Sequence, residues 1–367
     1  MSKIKVGILF GGKSAEHEVS LVSAQSVMEN LNPNKYEAIP IGISREGKWL
    51  TAGEPLEYLK SGRQKKEQKK LLPTVSQKDG KHFISQKAVD VIFPVLHGTY
   101  GEDGTAQGFL ELANIPYVGA GVLASAIGMD KAMQKNVFQD QGLPVPKHLI
   151  FPRQRILERL DPRVIIEIET SLGYPCFTKP ANLGSSIGIF KAHTRSELKF
   201  MLKKTACFDR KIIVEKAVAS ALEIEVAVLG NDDPKASVCG EIIPSGEFYD
   251  YDAKYIDGKS EAIIPTKTPS RMSDKIRDLA LRAYRAIDCA GMARVDFLVD
   301  GKTEEIYLSE INTIPGFTSI SMYPKLWQAS GLSYSRLLDK LIQLALERYK
   351  DKQKNETAVK LKQDWYK

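Results

Sequence analysis

The feature that most constrains the fold is an apolar run, "AVDVIFPVLHG" (88–98). Such a run is typical of a strand that is buried on both faces of a parallel sheet. Two further β-branched runs, "IKVGILFGG" and "YEAIPIGIS", precede it, and a helix over roughly residues 18–31 separates those two. A short helix, "TAQGFLELAN", and another strand, "IPYVGAG", are predicted after it. Strands that alternate with helices predict βαβ units around a parallel sheet, in a domain that ends near residue 125.

Two polar loops follow strands of this predicted sheet. They are "GGKSAEHEVS" after the first strand and "HGTYGEDG" after the buried one. Because ligands bind beyond the carboxyl ends of parallel strands, both loops are candidate site segments. A lone histidine such as His97 is more often a satisfied core residue, but its place at a strand end equally allows a functional role.

A Gly/Ser loop lies in a small α+β unit over residues 126–220. In "KPANLGSSIG" (179–188), a lysine ends a strand and the loop joins that strand to the next. Backbone N–H groups and hydroxyls of such a loop can hold phosphate. The Walker A pattern is absent, and a plain hairpin turn is the alternative interpretation.

A β-hairpin is predicted near the C-terminus, from "ARVDFLV" and "EIYLSEIN" with an Asp300-Gly301 turn between them. Alternation places two sets of side chains on single strand faces: Arg294, Asp296 and Leu298 in the first strand, and Ile306, Leu308, Glu310 and Asn312 in the second. If the polar faces coincide, Asp296, Glu310 and Asn312 converge as hard oxygen donors that suit Mg²⁺. An ion pair of Arg294 with one carboxylate is the alternative.

An amphipathic helix is predicted before this hairpin. Ser273 is predicted to cap a helix that buries one face. That face comprises Ile276, Leu279, Ala280, Ala283, Tyr284 and Ile287.

Composition limits the possible partners. Apolar residues make up 43% of the 367 residues and charged residues 26%, as in ordinary globular proteins. The net charge of +7 includes lysine runs without aromatic residues, so stacking on nucleic-acid bases has no support. The four cysteines form no C-x-x-C pair, which fits a reducing cytosol. The apolar run in "MSKIKVGILFGG" is too short for a signal peptide, and no 18-residue apolar stretch occurs. We therefore expect a cytoplasmic protein with no membrane or nucleic-acid partner.

Seven ordered motifs carry a family resemblance: "FGGKSAEHEVS", "HGTYGEDG", "GMDK", "TKPANLGSSIGI", "FYDYDAKY", "GMARVDF" and "EINTIPGFTSISMYPKLW". Together they resemble the D-alanine–D-alanine ligase family of the ATP-grasp superfamily, from about Lys3 to the final helix. The resemblance implies an α/β and α+β fold in a three-domain ATP-grasp architecture. Its parts are an N-terminal Rossmann-like parallel-sheet domain (1–125), a central subdomain (126–220), a C-terminal subdomain with the metal and substrate site (221–350) and a basic tail (351–367).

The resemblance also implies roles in binding the cofactors, which are ATP and two Mg²⁺ ions that Mn²⁺ can replace. ATP would lie between the central and C-terminal subdomains. The matching nucleotide-binding positions are Lys131, Lys179, Gly184, Ser185, Ser186, Glu215, Ala217, Val218 and Glu223. The matching metal ligands are Asp296, Glu310 and Asn312. One departure is the absence of an arginine directly before Glu223.

The remaining implied roles concern the amino-acid substrates. Glu16 would hold the ammonium group of the first D-alanine in a hydrogen-bonded set with Ser185 and Tyr255. The other implied contacts are His97 to the first substrate, Lys254 near the γ-phosphate, Arg294 and Gly316 near the reacting carbonyl, and Ser321 near the second carboxylate. The implied reaction passes through a D-alanyl phosphate to D-alanyl-D-alanine for peptidoglycan, and homodimers are usual in the family. A D-alanyl-D-serine or depsipeptide product, or nucleotide binding without turnover, stays open.

Overall fold

The computed structural model describes residues 2–50, 55–61, 75–78, 81–84, 87–157, 160–244 and 261–356. The strands in these ranges are β1 (Ile4–Gly11), β2 (Tyr36–Ile43), β3 (Trp49–Leu50), β4 (Val75–Lys78), β5 (Lys81–Ile84), β6 (Lys87–Val89), β7 (Val91–Pro94), β8 (His148–Pro152), β9 (Cys176–Pro180), β10 (Phe190–Ala192), β11 (Lys211–Lys216), β12 (Leu222–Gly230), β13 (Lys235–Ile243), β14 (Glu261–Ile263), β15 (Gly291–Val299) and β16 (Ile306–Asn312). The helices are α1 (His17–Asn30), α2 (Pro55–Ser61), α3 (Thr105–Leu112), α4 (Val122–Met129), α5 (Lys131–Asp140), α6 (Gln154–Leu157), α7 (Pro162–Ser171), α8 (Arg195–Thr205), α9 (Ser270–Ala286), α10 (Met322–Ala329) and α11 (Tyr334–Lys352).

The N-terminal sheet confirms the predicted parallel arrangement. Its strand order is β3-β2-β1-β7, and β1 pairs in parallel with both β2 and β7. Successive residues of β7 enter opposite cores, since Val91 and Phe93 pack on one side and Ile92 on the other. Strand β7 is therefore buried on both faces, and the loop that carries His97 leaves its carboxyl end, whereas the first residues of the apolar run belong to β6 in a separate sheet.

The predicted strand at "IPYVGAG" is wrong as a separate element. Tyr117 forms only an isolated parallel bridge to Ile92. Pro116 lacks an N–H group for a longer ladder, and Gly119 has φ of 98°, which ends the extended backbone. The polar region after β3 contributes a small antiparallel sheet, β4-β5-β6, which the sequence did not predict.

The central sheet has the order β10-β9-β11-β8 and is antiparallel. It has a core of its own with α7 and α8, to which Ile165, Leu198 and Ile212 belong. The C-terminal sheet, in the order β14-β13-β12-β15-β16, is also antiparallel. Residues of α4 and α5 pack into the core of the C-terminal sheet, as Ala124 and Phe138 show. Helix α5 therefore packs with the C-terminal sheet.

Helix α9 buries the whole predicted face, from Ile276 to Ile287. The predicted cap is wrong, because the helix begins at Ser270 with Pro269 at the N-cap position. Ser273 lies in the first turn, where its N–H donates to the Pro269 carbonyl and its hydroxyl lies 2.9 Å from that of Thr268.

The β15–β16 hairpin forms as predicted, but its second strand does not alternate regularly. Asp296 lies opposite Glu310, whereas the next residue, Phe297, lies opposite Leu308. Ser309 is therefore an additional residue, a β-bulge that moves later side chains to the other face. The prediction that Leu308 and Glu310 share a face is wrong: Leu308 is fully buried, while Glu310 lines the cleft. The bulge lets one strand be apolar towards the core and polar towards the cleft.

Candidate active site

The first cavity, of about 320 Å³, lies between the central and C-terminal sheets. Its wall includes Lys179 of β9, Glu215 of β11, Glu223 of β12, Asp296 of β15 and Glu310 of β16. Basic and acidic side chains from two independently packed sheets therefore face each other across one cleft.

Glu215 is the anionic centre of the central-sheet side. Its Oε2 accepts from Lys179 Nζ at 2.7 Å, and its Oε1 lies 3.2 Å from Lys135 Nζ. Burial alone would raise the pKa of the Glu215 carboxyl, but the Lys135 and Lys179 ammonium groups outweigh burial and lower the pKa to about 2. Glu215 is therefore held as a carboxylate at the edge of the cavity.

Lys131 joins the Gly/Ser loop to the opposite wall. Asp130 caps α5, so Lys131 begins the helix with its side chain turned into the cleft. Its Nζ donates to the Leu183 carbonyl at 2.8 Å and lies 3.1 Å from Glu310 Oε2. Burial opposes the charge of Lys131, but Glu310 outweighs burial and raises the pKa of the ammonium group.

The Gly/Ser loop separates two cavities. Ser186 lines the first, while Gly184 and Ser185 line the second. Ser185 and Ser186 have φ of 50° and 59°, a region that side chains adopt at a cost. The Ser185 hydroxyl donates to Glu16, and a Cβ on Gly184 would lie 2.8 Å from Glu16 Oε2. The loop therefore lies directly against the carboxylate that follows β1.

The second cavity, of about 110 Å³, adjoins the first. Glu225 and Glu310 line both. The second cavity collects side chains from three parts of the chain: Glu16 and His97 from the N-terminal domain, Arg294 and Asn312 from the hairpin, and Gly316 and Ser321 from the segment after it. A nucleotide-sized space and a smaller polar space thus meet at two carboxylates.

Arg294 lies among three carboxylates, those of Asp296, Glu225 and Glu310, which we call the acidic row. It donates to both oxygens of Asp296, from Nε at 2.7 Å and from a terminal nitrogen at 2.6 Å. Its Nε lies 3.2 Å from Glu225 Oε2, and Asn312 Nδ2 donates to Asp296 at 3.1 Å. Burial opposes the Arg294 charge, but Asp296, Glu225 and Glu310 outweigh it and raise the pKa of the guanidinium. The predicted ion pair of Arg294 with a carboxylate is therefore present, and Asn312 turns its amide nitrogen towards Asp296.

His97 is buried beside a second carboxylate. Its Nδ1 lies 3.5 Å from Glu102 Oε1, and its Nε2 lies 2.9 Å from the Ser23 hydroxyl. Burial alone would lower the pKa of the imidazole, but Glu102 and Glu16 outweigh burial and raise it. His97 is therefore both a core histidine and part of the cavity wall.

The Gly316–Ser321 segment closes the far side of this space. The Ser321 hydroxyl accepts from the Thr318 N–H at 3.0 Å, which fixes a tight turn. A Cβ on Gly316 would lie 2.6 Å from Ser321 Oγ, so the close approach of these two residues requires glycine. The turn after β16 therefore presents backbone groups and a hydroxyl beside Arg294.

The predicted site residues that the structure describes all line one of the two cavities. Lys254 and Tyr255 lie outside the described residues. Sequence reasoning missed Glu225, Lys135 and Glu102 as members of the site. Glu225 carried a usable signal, because it follows Glu223 at period 2 on the same strand. Lys135 carried none, since a lysine one turn into a helix usually faces water.

The acidic row fits a hard divalent ion. Asp296 and Glu310 place carboxylates, and Asn312 an amide group, on one face of adjacent strands. Among the residues that the structure describes, no group of three or more His, Cys, Asp and Glu side chains is arranged as a metal site. A set of two carboxylates and one amide instead suits an ion that completes its coordination with phosphate oxygens and water. Arg294 and Lys131 balance the charge of the row here.

Two protein-family models match the chain, one N-terminal and one C-terminal. The family descriptions "D-ala D-ala ligase N-terminus" and "D-ala D-ala ligase C-terminus" match residues 5–120 and 137–343. A relative from Thermoanaerobacter sp. strain X514, named D-alanine–D-alanine ligase, is 49% identical over 363 residues, which cover 96% of this chain and 99% of the relative. The chain belongs to the D-alanine–D-alanine ligase family. This family consists of ATP-dependent ligases, which implies the use of ATP and a divalent metal.

Solved structures show the ATP-grasp fold. The D-alanine–D-alanine ligase from Coxiella burnetii superposes with a TM-score of 0.80 at 35% identity, covering 96% of this chain and 97% of that chain. The VanG D-Ala:D-Ser ligase from Enterococcus faecalis also gives 0.80, at 38% identity, over 94% of this chain and 100% of that one. Within the described ranges, no helix is both long and apolar enough to cross a bilayer.

Proposed function

We propose that the chain joins two D-alanine molecules into D-alanyl-D-alanine through a D-alanyl phosphate, with release of ADP and phosphate, for peptidoglycan synthesis. The observation that carries this proposal is the shared wall of the two cavities at Glu225 and Glu310. Because a carboxylate oxygen is a poor leaving group, the two amino acids do not condense unaided. A nucleotide in the larger cavity can phosphorylate a carboxyl group in the smaller one at this shared wall.

The larger cavity supplies the nucleotide contacts. Lys131 and Lys179 would bind phosphate oxygens, which replace Glu310 and Glu215 as partners of the two ammonium groups. The segment Glu215 to Val218 lines the wall and would bind adenine, and Glu223 would accept from the ribose hydroxyls. Gly184, Ser185 and Ser186 would cover the phosphates and exclude water from the acyl phosphate.

The metal site would hold two Mg²⁺ ions, and Mn²⁺ would substitute. Asp296, Glu310 and Asn312 are the proposed ligands. When bound, the ions neutralise phosphate charge during phosphoryl transfer. Lys131, at 3.1 Å from Glu310, adds a positive charge at the same place.

The smaller cavity supplies the amino-acid contacts. Glu16 would bind the ammonium group of the first D-alanine, oriented by Ser185, and His97 lies in the same wall. The Arg294 guanidinium and the Gly316 N–H would stabilise the oxyanion formed when the second amine attacks. Ser321 would donate to the carboxylate of the second D-alanine. Lys254 and Tyr255 keep their proposed roles near the γ-phosphate and in the Glu16–Ser185 set.

Phosphate release from ATP and Mg²⁺ tests the proposed activity. D-Alanine should stimulate release, L-alanine should not, and mass spectrometry should detect the dipeptide. ATP binding without D-alanine-dependent turnover would contradict the proposal. The 38% identity to a D-Ala:D-Ser ligase makes D-serine the second candidate for the accepting amino acid. A mixture of D-alanine with D-serine or D-lactate therefore distinguishes the products by mass.

We further propose a cytoplasmic homodimer that binds neither nucleic acid nor membrane. The two lysine runs, 62–70 and 350–363, contain no aromatic residue, so they offer no base-stacking platform. We also propose domain limits near residues 125, 220 and 350. Light scattering on the purified chain gives the mass of the particle, and a monomer at micromolar concentration would contradict the dimer.

A further inference from the structure

Lys135 is a charged side chain that is almost completely buried. It lies on α5 and is only 1% exposed, and it belongs to the wall of neither cavity. Among the described residues, its Nζ lies 3.2 Å from Glu215 Oε1 and donates to the Ser309 carbonyl at 3.1 Å. On the same helix, Phe138 packs into the core of the C-terminal sheet.

A role in packing does not explain this residue. Removing an ammonium group from water is unfavourable, and an apolar side chain of similar size often serves a buried position equally well. Burial lowers the pKa of Lys135, and Glu215 opposes that shift without overcoming it. A lysine at this position therefore indicates a requirement for its charge or its donors.

The two contacts of Lys135 join three elements of the site. The residue itself lies on α5, Glu215 lies on β11 of the central sheet, and Ser309 is the bulge residue of β16 directly before Glu310. One ammonium group thus links the proposed adenine edge to the strand that carries a proposed metal ligand.

Glu215 has a second cationic partner that nucleotide binding would remove. Lys179 pairs with Glu215 Oε2 at 2.7 Å, but under the proposed function it turns to a phosphate. Lys135 lies on the other carboxylate oxygen and outside the cavity, so it cannot follow. We propose that Lys135 is a positioning residue that keeps Glu215 charged and aimed at the nucleotide base while Lys179 binds phosphate.

The inference rests on the proposed nucleotide site and adds a chemical consequence. An ionised carboxylate only accepts hydrogen bonds. It therefore favours a base with an exocyclic amine, such as adenine, over hypoxanthine, which has an oxo group at that position. Selectivity for ADP over IDP should then depend on Lys135, although Lys135 contacts neither nucleotide.

The test measures ADP and IDP binding by titration calorimetry without D-alanine, in the wild type, Lys135→Met and Lys135→Arg. The wild type should prefer ADP. Lys135→Met should weaken ADP binding about tenfold, the factor equivalent to 1.4 kcal/mol, with little change for IDP. Lys135→Arg should recover part of the preference. In a Glu215→Gln background, Lys135→Met should cause no further change in the ratio of the ADP and IDP affinities.

Lys211→Met is the matched control. Lys211 also pairs with a carboxylate at the same helix, that of Asp130, but it does not contact Glu215. This variant should leave the ADP:IDP ratio unchanged. Equal loss of both nucleotides in Lys135→Met, or no preference for ADP in the wild type, would overturn the inference. If Lys135→Met does not fold, Lys135→Gln replaces it. Selective ADP binding without dipeptide synthesis would contradict the proposed function alone, and absence of all nucleotide binding would contradict both.

Discussion

Arg294→Lys separates charge from geometry at the centre of the site. Arg294 makes two hydrogen bonds to Asp296, at 2.7 and 2.6 Å, and its Nε also lies 3.2 Å from Glu225. Lysine keeps the positive charge, so neither carboxylate is left without a cation. It lacks the planar fork, however, and therefore cannot hold both Asp296 oxygens and face the reacting carbonyl together.

The expected losses in stability and in rate differ. Loss of about one charge-assisted hydrogen bond should lower the free energy of unfolding by about 1.5–3 kcal/mol. Loss of an aligned oxyanion donor should lower kcat by about 10²–10³-fold, or about 2.7–4 kcal/mol in the barrier. The KM for ATP should change less than kcat, because Arg294 lines the smaller cavity and reaches the larger one through Asp296.

The assay combines phosphate release at saturating ATP and D-alanine with thermal unfolding followed by circular dichroism. Arg45→Lys is the control, because it alters an arginine–carboxylate pair, with Glu18, that is exposed on both sides. That variant should match the wild type in both measurements. An Arg294→Lys enzyme with wild-type kcat would refute the oxyanion role, whatever its stability.

Three further predictions concern other parts of the site. Gly184→Ala should raise the KM for D-alanine more than that for ATP, because its Cβ would displace Glu16 directly; a larger rise in the KM for ATP would count against it. Because the pKa of His97 is raised, its protonated form stabilises the fold below about pH 6.5, and this contribution is lost as the pH rises through the raised value. Glu102, whose pKa is raised by burial, titrates in the same direction, so thermal stability should fall more between about pH 6 and about pH 9 in the wild type than in the double variant His97→Asn, Glu102→Gln; parallel curves would exclude this. A disulfide reagent should modify only Cys207 in the folded protein, because the other three thiols are buried. Burial raises their pKa values to about 11 for Cys176 and Cys239 and to about 12 for Cys289. Equally fast reaction of a second thiol would contradict this prediction.

Much of the framework follows from local sequence patterns. The apolar run at 88–98 predicted a strand buried on both faces, and the 3.6-residue period of α9 predicted its buried side. Asp300-Gly301 predicted the hairpin that places Arg294 beside Asn312. These features depend on period and turn chemistry, which neighbouring residues determine.

Features that depend on an inserted residue or on distant partners were not predicted. The Ser309 bulge changes which face Glu310 occupies, and a strict period of 2 cannot represent an extra residue. Lys135 has a helical position like that of many exposed lysines, and only the fold brings it to Glu215. Tertiary contacts therefore decide the details of the site that local patterns leave open.

The most direct test of the central claim is Mn²⁺ binding in the presence of ADP, followed by electron paramagnetic resonance. The hairpin carboxylates are proposed to bind the cation together with the nucleotide. The wild type should bind two Mn²⁺ ions per chain, and Glu310→Gln should weaken binding at least about tenfold while the fold is retained. Equal Mn²⁺ affinity and number in both proteins would contradict the proposed metal site.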